Sequence, residues 1–166
     1  MIELNKKTSQ DFLNREWVQK LLDAGVDMSD AKYGLIHNPY FHSDSVYYFN
    51  EGVKSKYYIN GRMVTDILPT YTVSELLYKL HEWIYPTIDG KKYSGGLTMI
   101  KDAPFYIFYY DLERKEEFEG DTNLKKNTYI HAPFEYPIES LASLLIQCHK
   151  KDIGIETKDT GNINSK

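Results

Sequence analysis

The chain has 166 residues, enough for one substantial hydrophobic core. Its 24 acidic against 20 basic residues leave a net charge of -4, which weighs against non-specific nucleic-acid binding, where phosphate neutralisation dominates affinity. A single cysteine, Cys148, excludes an intrachain disulfide, the opening MIELNKKTSQDF has no apolar signal core, and no stretch approaches a membrane span; a soluble cytoplasmic protein without membrane contact is expected.

Residues 1–10 are polar and read as loose. Between Asn14 and Ala24, the residues Trp17, Val18, Leu21 and Leu22 recur on one stripe, which predicts an amphipathic helix. Asn14 suits its N-cap, Phe12 and Leu13 can extend it backward, and Gly25-Val26 suits a left-handed stop with a hydrophobic clasp. From Lys32 the pattern turns extended. Tyr33 to His37 reads as a strand, Asn38-Pro39 as a loop, and Ser45 to Phe49 and Tyr57 to Ile59 as a hairpin across Asn50-Glu51-Gly52. Asn60-Gly61 is a second turn signal, Arg62 to Ile67 a further strand, and Pro69 closes the region.

Thr72-Val73-Ser74-Glu75 has the form of a capping box, and Leu76, Leu77, Leu80, Trp83 and Ile84 follow at helical spacing, predicting a helix that ends near Pro86. After the Asp89-Gly90 turn, Gly95-Gly96 is expected to break or bulge a strand. Leu97 to Lys101 and Phe105 to Tyr110 form a hairpin across Asp102-Ala103-Pro104. Leu112 to Lys126 is too charged to cover a core and reads as an exposed excursion, followed by a strand at Thr128 to His131. Pro137 opens a last helix with Ile138, Leu141, Leu144, Leu145 and Cys148 inward and Glu139, Ser140, Ser143, Gln147 and Lys150 outward. Residues 156–166 are polar, aperiodic and expected to be disordered.

These elements predict an α+β fold, an antiparallel sheet or sheets packed by about three helices, with the second half ordered α-β-β-β-α. A single domain over residues 1–155 is expected, divisible into sub-lobes 11–67 and 68–155. The α-β-β-β-α order resembles the double-stranded-RNA-binding domain, whose last helix starts with a lysine cluster. Here that start is Tyr136-Pro137-Ile138-Glu139, so the resemblance implies an order of elements and no RNA binding.

All fifteen tyrosines lie between Tyr33 and Tyr136, and six form the doublets Tyr47-Tyr48, Tyr57-Tyr58 and Tyr109-Tyr110 within predicted strands. Neighbours on a strand point to opposite faces, so each doublet puts an aromatic on both sides of a sheet. A phenol combines a large apolar ring with a hydroxyl that needs a partner, which suits half-buried faces and interfaces. In the longest run, Phe105, Ile107 and Tyr109 make one wall and Tyr106, Phe108 and Tyr110 the other.

Motifs for chemistry are sparse. There is no Gly-x-Ser-x-Gly elbow, no Walker loop and no zincin histidine pair, and no cofactor is expected. His37 and His42 lie five apart with Asp44 close behind, which offers two imidazoles and a carboxylate to a divalent metal. Cys148 has His149 beside it but belongs to the apolar stripe of its helix and reads as a structural thiol. His81, beside Glu82, is expected to face solvent from the second helix, and His149 to answer the dipole of the last.

The stretches REWVQKLLDAGVDMSDAKY from Arg15, LPTYTVSELLYKL from Leu68 and FEYPIESLASLLIQC from Phe134 together resemble a group of small uncharacterised bacterial proteins associated with prophages and mobile elements. That group carries a tryptophan in the last helix and an Asn-Gly stop after it, where this chain has Gln147, Asp152 and Gly154. A fainter resemblance, of a strand hairpin followed by an acidic bend and a helix, is to the HicB-type antitoxin domain, without a separate DNA-reading module. The resemblance implies a bacterial or phage origin and assigns no catalytic residues. The expected function is a non-enzymatic protein-interaction module that meets a protein partner or its own copy through a tyrosine-rich sheet face, with Tyr106, Phe108, Tyr110, Tyr48 and Tyr58 as binding residues. The alternative is a metal-dependent hydrolase centred on His37, His42 and Asp44.

Overall fold

The computed structural model describes residues 2–4, 11–88, 90–114, 127–129 and 134–150. Residues 115–126 of the excursion expected over Leu112 to Lys126, half of the strand expected at Thr128 to His131 and the tail 156–166 therefore lie outside the described residues, whereas Leu112–Arg114 continue a strand with Leu112 buried.

Helix α1 (Arg15–Asp23) forms where the apolar stripe predicts it, with Trp17, Val18 and Leu21 buried. The Asn14 side chain accepts a hydrogen bond from the Trp17 amide at 3.0 Å. At the other end Gly25, at φ +84, donates to the Leu22 carbonyl, and Val26 donates to that of Leu21, a paired closure that satisfies two terminal carbonyls. Phe12 and Leu13 do not extend the helix; Leu13 donates to the Tyr71 carbonyl, and both side chains enter the core.

A four-stranded antiparallel sheet contains β1 (Ile2–Leu4), β2 (Tyr33–Asn38), β3 (Ser43–Tyr48) and β6 (Ile67–Thr70) in the order β1-β3-β2-β6. Residues 2–4, expected to be loose, instead pair with β3. Pro69 lies within β6, opposite Gly34, on an edge strand where its missing amide costs no ladder bond. The expected hairpin across Asn50-Glu51-Gly52 does not form. Gly52 donates to Phe49, Val53 then donates to Ala31, and the chain is drawn beneath the sheet. The hairpin is made one turn later by β4 (Tyr57–Ile59) and β5 (Arg62–Val64), across Asn60 and Gly61, both at positive φ as the primed turn demands.

Helix α2 (Val73–Lys79) has the predicted capping box, with Thr72 and Glu75 exchanging backbone and side-chain bonds. It stops seven residues before the predicted end at Pro86. Leu80 turns extended, and Trp83–Ile84 become strand β7, paired with Gly96 and Gly95. The helical spacing was real, but the available edge of β9 captures these residues as a strand. The second sheet follows the order β11-β10-β9-β7, from β9 (Lys91–Asp102), β10 (Phe105–Arg114) and β11 (Asn127–Tyr129), while β8 (Thr87–Ile88) also pairs with β9. The β9–β10 register runs unbroken from Phe105↔Asp102 to Arg114↔Tyr93, so the glycine pair neither breaks nor bulges the strand.

Helix α3 (Pro137–Lys150) packs on β10, so that among the described residues three helices pack on antiparallel sheets in an α+β fold. One apolar cluster draws on both parts of the chain, from Phe12 and Trp17 through Leu35, Val46 and Leu76 to Tyr110, Leu141 and Cys148. Ser140, expected to face outward, is fully buried and accepts the Phe108 amide at 2.8 Å. Its hydroxyl serves the β10 edge between the amide–carbonyl exchange of Tyr106 with Phe134 and the pairing of Tyr110 with Tyr129.

Candidate interaction surface

The three doublets take up different positions. Face sharing follows from register, because residues paired across an antiparallel ladder point the same way. In the first sheet, Val46 and Tyr48 lie with Tyr33 and Leu35, and the Tyr48 ring meets Tyr33 at 5.4 Å, which meets Phe12 at 4.9 Å. Tyr47 lies on the opposite face with Ile36 and Ile67. That face is covered by the chain itself: Phe49 and Val53 and, from the β4–β5 hairpin, Tyr57, Ile59 and Val64 form a second apolar cluster. The Tyr57 ring packs at a tilt against Phe49, 4.6 Å between centres, whereas Tyr58 is 73% exposed beside Met63 on the outer side of the hairpin.

The second sheet is covered differently. Tyr106, Phe108, Tyr110 and Leu112 share the face toward α3; Phe108, Tyr110 and Leu112 are buried, and Tyr106 is half-buried with the Lys101 ammonium 5.4 Å from its ring centre. Tyr110 has no exposed surface, and its hydroxyl donates to the His81 carbonyl at 2.6 Å. Burial pushes this phenol far above its ordinary range. The expected binding set therefore does not assemble at a surface. Phe108 and Tyr110 belong to the core under α3, Tyr48 lies in a ring cluster of the other sheet, and Tyr58 stands apart on the hairpin.

The opposite wall is open. Phe105, Ile107 and Tyr109 on β10 pair with Asp102, Ile100 and Thr98 on β9, and in the next row Asp111 pairs with Gly96, which pairs with Trp83. Trp83 is 53%, Ile100 47% and Phe105 42% exposed; Ile107 and Tyr109 are half-buried. Gly96 shapes this surface: a Cβ there would stand 2.9 Å from the Trp83 ring, so the indole rests on the bare strand, while Gly95 lies on the opposite face with Leu112, where a side chain would strike the Asp111 carbonyl. Along the wall, the Ile107–Ile100 and Tyr109–Thr98 rows lie between the Phe105–Asp102 row at the β9–β10 turn and the acids Asp111 and Glu113 at the far end. A sequence signal for this orientation exists, since Asp111 and Glu113 share the parity of Phe105, Ile107 and Tyr109, while Leu112 shares that of Phe108 and Tyr110.

The proposed metal ligands meet a different fate. His37 and Asp44 face each other across β2 and β3, with His37 Nδ1 3.4 Å from Asp44 Oδ1. The same carboxylate takes the Arg15 guanidinium at 3.0 Å, and Arg15 also reaches Asp66 at 3.3 Å. The Asp44 hydrogen bond leads the effects that hold Arg15 above its ordinary range, against the opposing effect of burial. His42 sits in the exposed β2–β3 turn at φ +49. Among the described residues, no group of three or more histidine, cysteine, aspartate or glutamate side chains is placed to hold a metal ion.

A shallow cavity of about 200 Å³ lies over Tyr71, Glu75, Tyr78 and Lys79. Its polar groups answer one another: the Tyr71 hydroxyl donates to Asp30 Oδ1 at 2.6 Å, and Lys79 meets Asp30 Oδ2 at 3.0 Å. Burial opposes the Asp30 charge, but the Tyr71 and Lys79 hydrogen bonds outweigh it and hold the carboxyl below its ordinary value. This cluster fastens the 27–30 turn to α2. Among the described residues no helix is long and apolar enough to cross a membrane. The chain matches no family model, no curated protein and no solved structure.

Proposed function

We propose that the protein is a non-enzymatic interaction module that engages another polypeptide through the outer wall of the second sheet. The observation that carries this reading is the exposure of Trp83, Ile100 and Phe105 beside Ile107 and Tyr109 on one face. Contiguous apolar surface of this kind is a mark of contact sites, and aromatic anchors dominate binding energy at protein interfaces. The acids at its far end disfavour phosphate backbones as the ligand. The bacterial or phage setting rests on the sequence resemblance, and the cytoplasmic setting on a single cysteine placed in the core.

The test is photo-crosslinking in the producing cell from a reactive residue at position 98, in the centre of the wall, against a control at the exposed Gln19 position of α1. Discrete adducts of polypeptide mass from position 98 alone are expected, and their loss when Ile107→Glu is added. Equal yields at both positions, or none at 98, would overturn the reading.

A further inference from the structure

Resting on that reading, we infer that the partner polypeptide enters as an added strand: an extended segment pairs with the free edge of β9 at Met99 and Lys101, in line with β7. The direction of the backbone groups carries the inference. Along an antiparallel strand the N–H and C=O of one residue point to one side, and those of the next residue to the other. On β10, Tyr106 exchanges both bonds with Phe134, and the Phe108 amide donates to Ser140, all on the side away from β9. Phe105, Ile107 and Tyr109 therefore bond to Asp102, Ile100 and Thr98, and the groups of Leu97, Met99 and Lys101 point out of the sheet. Leu97 has the same parity, since its amide donates to the Glu82 carbonyl at 2.8 Å. There the cover stops, because β7 pairs at Gly95 and Gly96, β8 pairs at Lys91 and Lys92, and the chain before Glu82 has turned into α2. Among the described residues no strand pairs with β9 at Met99 or Lys101; Met99 is 51% exposed, and Lys101 is exposed as well.

Other edges are closed. Pro69 stands on β6, and β10 is served by Phe134, Ser140 and Tyr129. A lysine commonly guards a sheet edge, but the Lys101 ammonium is drawn over the Tyr106 ring, 5.4 Å from its centre. The open groups define the occupant: donors and acceptors alternating at strand spacing are matched by extended backbone, with affinity from main-chain bonds and selectivity from alternate side chains. Antiparallel addition is the sense in which β7, β8 and β10 already meet β9. Partner residues opposite Met99 and Lys101 then exchange backbone bonds, and those opposite Thr98 and Ile100 point onto the outer wall in the line of Trp83. Apolar side chains suit the wall-facing positions, and an acid suits the one opposite Lys101.

A displayed library of random peptides of about twelve residues, selected on the full chain, supplies the probe. Enriched peptides are predicted to alternate apolar and polar residues. N-methylation of successive residues in a synthetic one should weaken binding about tenfold or more at every second position of the paired stretch, the period of a strand. Met99→Pro should weaken it by a similar factor with far-ultraviolet circular dichroism unchanged, because the lost amide serves no ladder bond. The N-methyl scan uses the unaltered chain, so it decides alone if the proline variant fails to fold. No enriched peptide, or binding indifferent to the N-methyl groups, overturns the inference. A peptide indifferent to them but lost on Ile107→Glu leaves the outer-wall reading in place without the added strand. One indifferent to both, with no adducts from position 98, sinks the interaction reading as well.

Discussion

The indole of Trp83 lies on Gly96, where an added Cβ would stand 2.9 Å from Cζ3 and 3.0 Å from Cε3. The neighbouring Gly95 is closed by backbone: a Cβ there would meet the Asp111 carbonyl and come within 2.8 Å of Leu112 Cδ2. An exposed ring can swing away, whereas the backbone of the paired strand cannot. Gly95→Ala is therefore predicted to lose about 1–3 kcal/mol, the range of overpacked cores. Gly96→Ala should cost less than about 1 kcal/mol and report itself as a shift in tryptophan emission. Urea denaturation with fluorescence on both variants checks the order, and a costlier Gly96→Ala would refute it.

Ser140 gives the buried Phe108 amide its acceptor at 2.8 Å. Ser140→Ala keeps the helix and removes the acceptor, leaving a buried donor unsatisfied. The expected loss is about 1–3 kcal/mol in denaturant unfolding, with faster hydrogen exchange at the Phe108 amide. A neutral substitution would mean that another acceptor serves this amide.

Two phenols predict alkaline instability. Burial, then the hydrogen bond to Asp30 and its charge, raise Tyr71 far above the ordinary 10.0; burial does the same for Tyr110. Because their folded values exceed the unfolded value, the stabilisation is complete below pH 10 and is lost as pH climbs above it. Each group then steepens the decline by about 1.4 kcal/mol per pH unit. Thermal melts between about pH 8 and 11 should fall only above 10, and Tyr71→Phe should flatten the fall. A decline that sets in well below pH 10 would contradict this origin.

Asp30 works in the acid direction. Held below its ordinary 3.8 by Tyr71 and Lys79 against the effect of burial, it adds stability above that value and loses it as pH drops through its lower folded value. Lys79→Met should lessen the acid-side loss below about pH 4, read from melts at pH 3 and 6. The effect is small because Asp30 is well exposed.

Local signals in the sequence told the truth where one stretch decides the outcome: Asn14 and Gly25 bound α1, Thr72 and Glu75 open α2, and Pro137 opens α3. They misled where a distant strand competes. Trp83 and Ile84 continue a helical pattern yet take the edge of β9, and Ser140 looks like a surface residue until the amide of Phe108 reaches it. The site was half legible. Alternation along β10 yields two walls, but which one α3 covers depends on packing across the whole chain.

That difference is concentrated in one doublet. Tyr110 has no exposed surface and is hydrogen-bonded to His81, while Tyr109 lies half-buried on the outer wall. Equilibrium urea unfolding of Tyr110→Ala and Tyr109→Ala tests the assignment of the walls. The account predicts a loss of about 3–5 kcal/mol for Tyr110→Ala and less than about 1 kcal/mol for Tyr109→Ala. Equal losses, or a larger one at Tyr109, would contradict it.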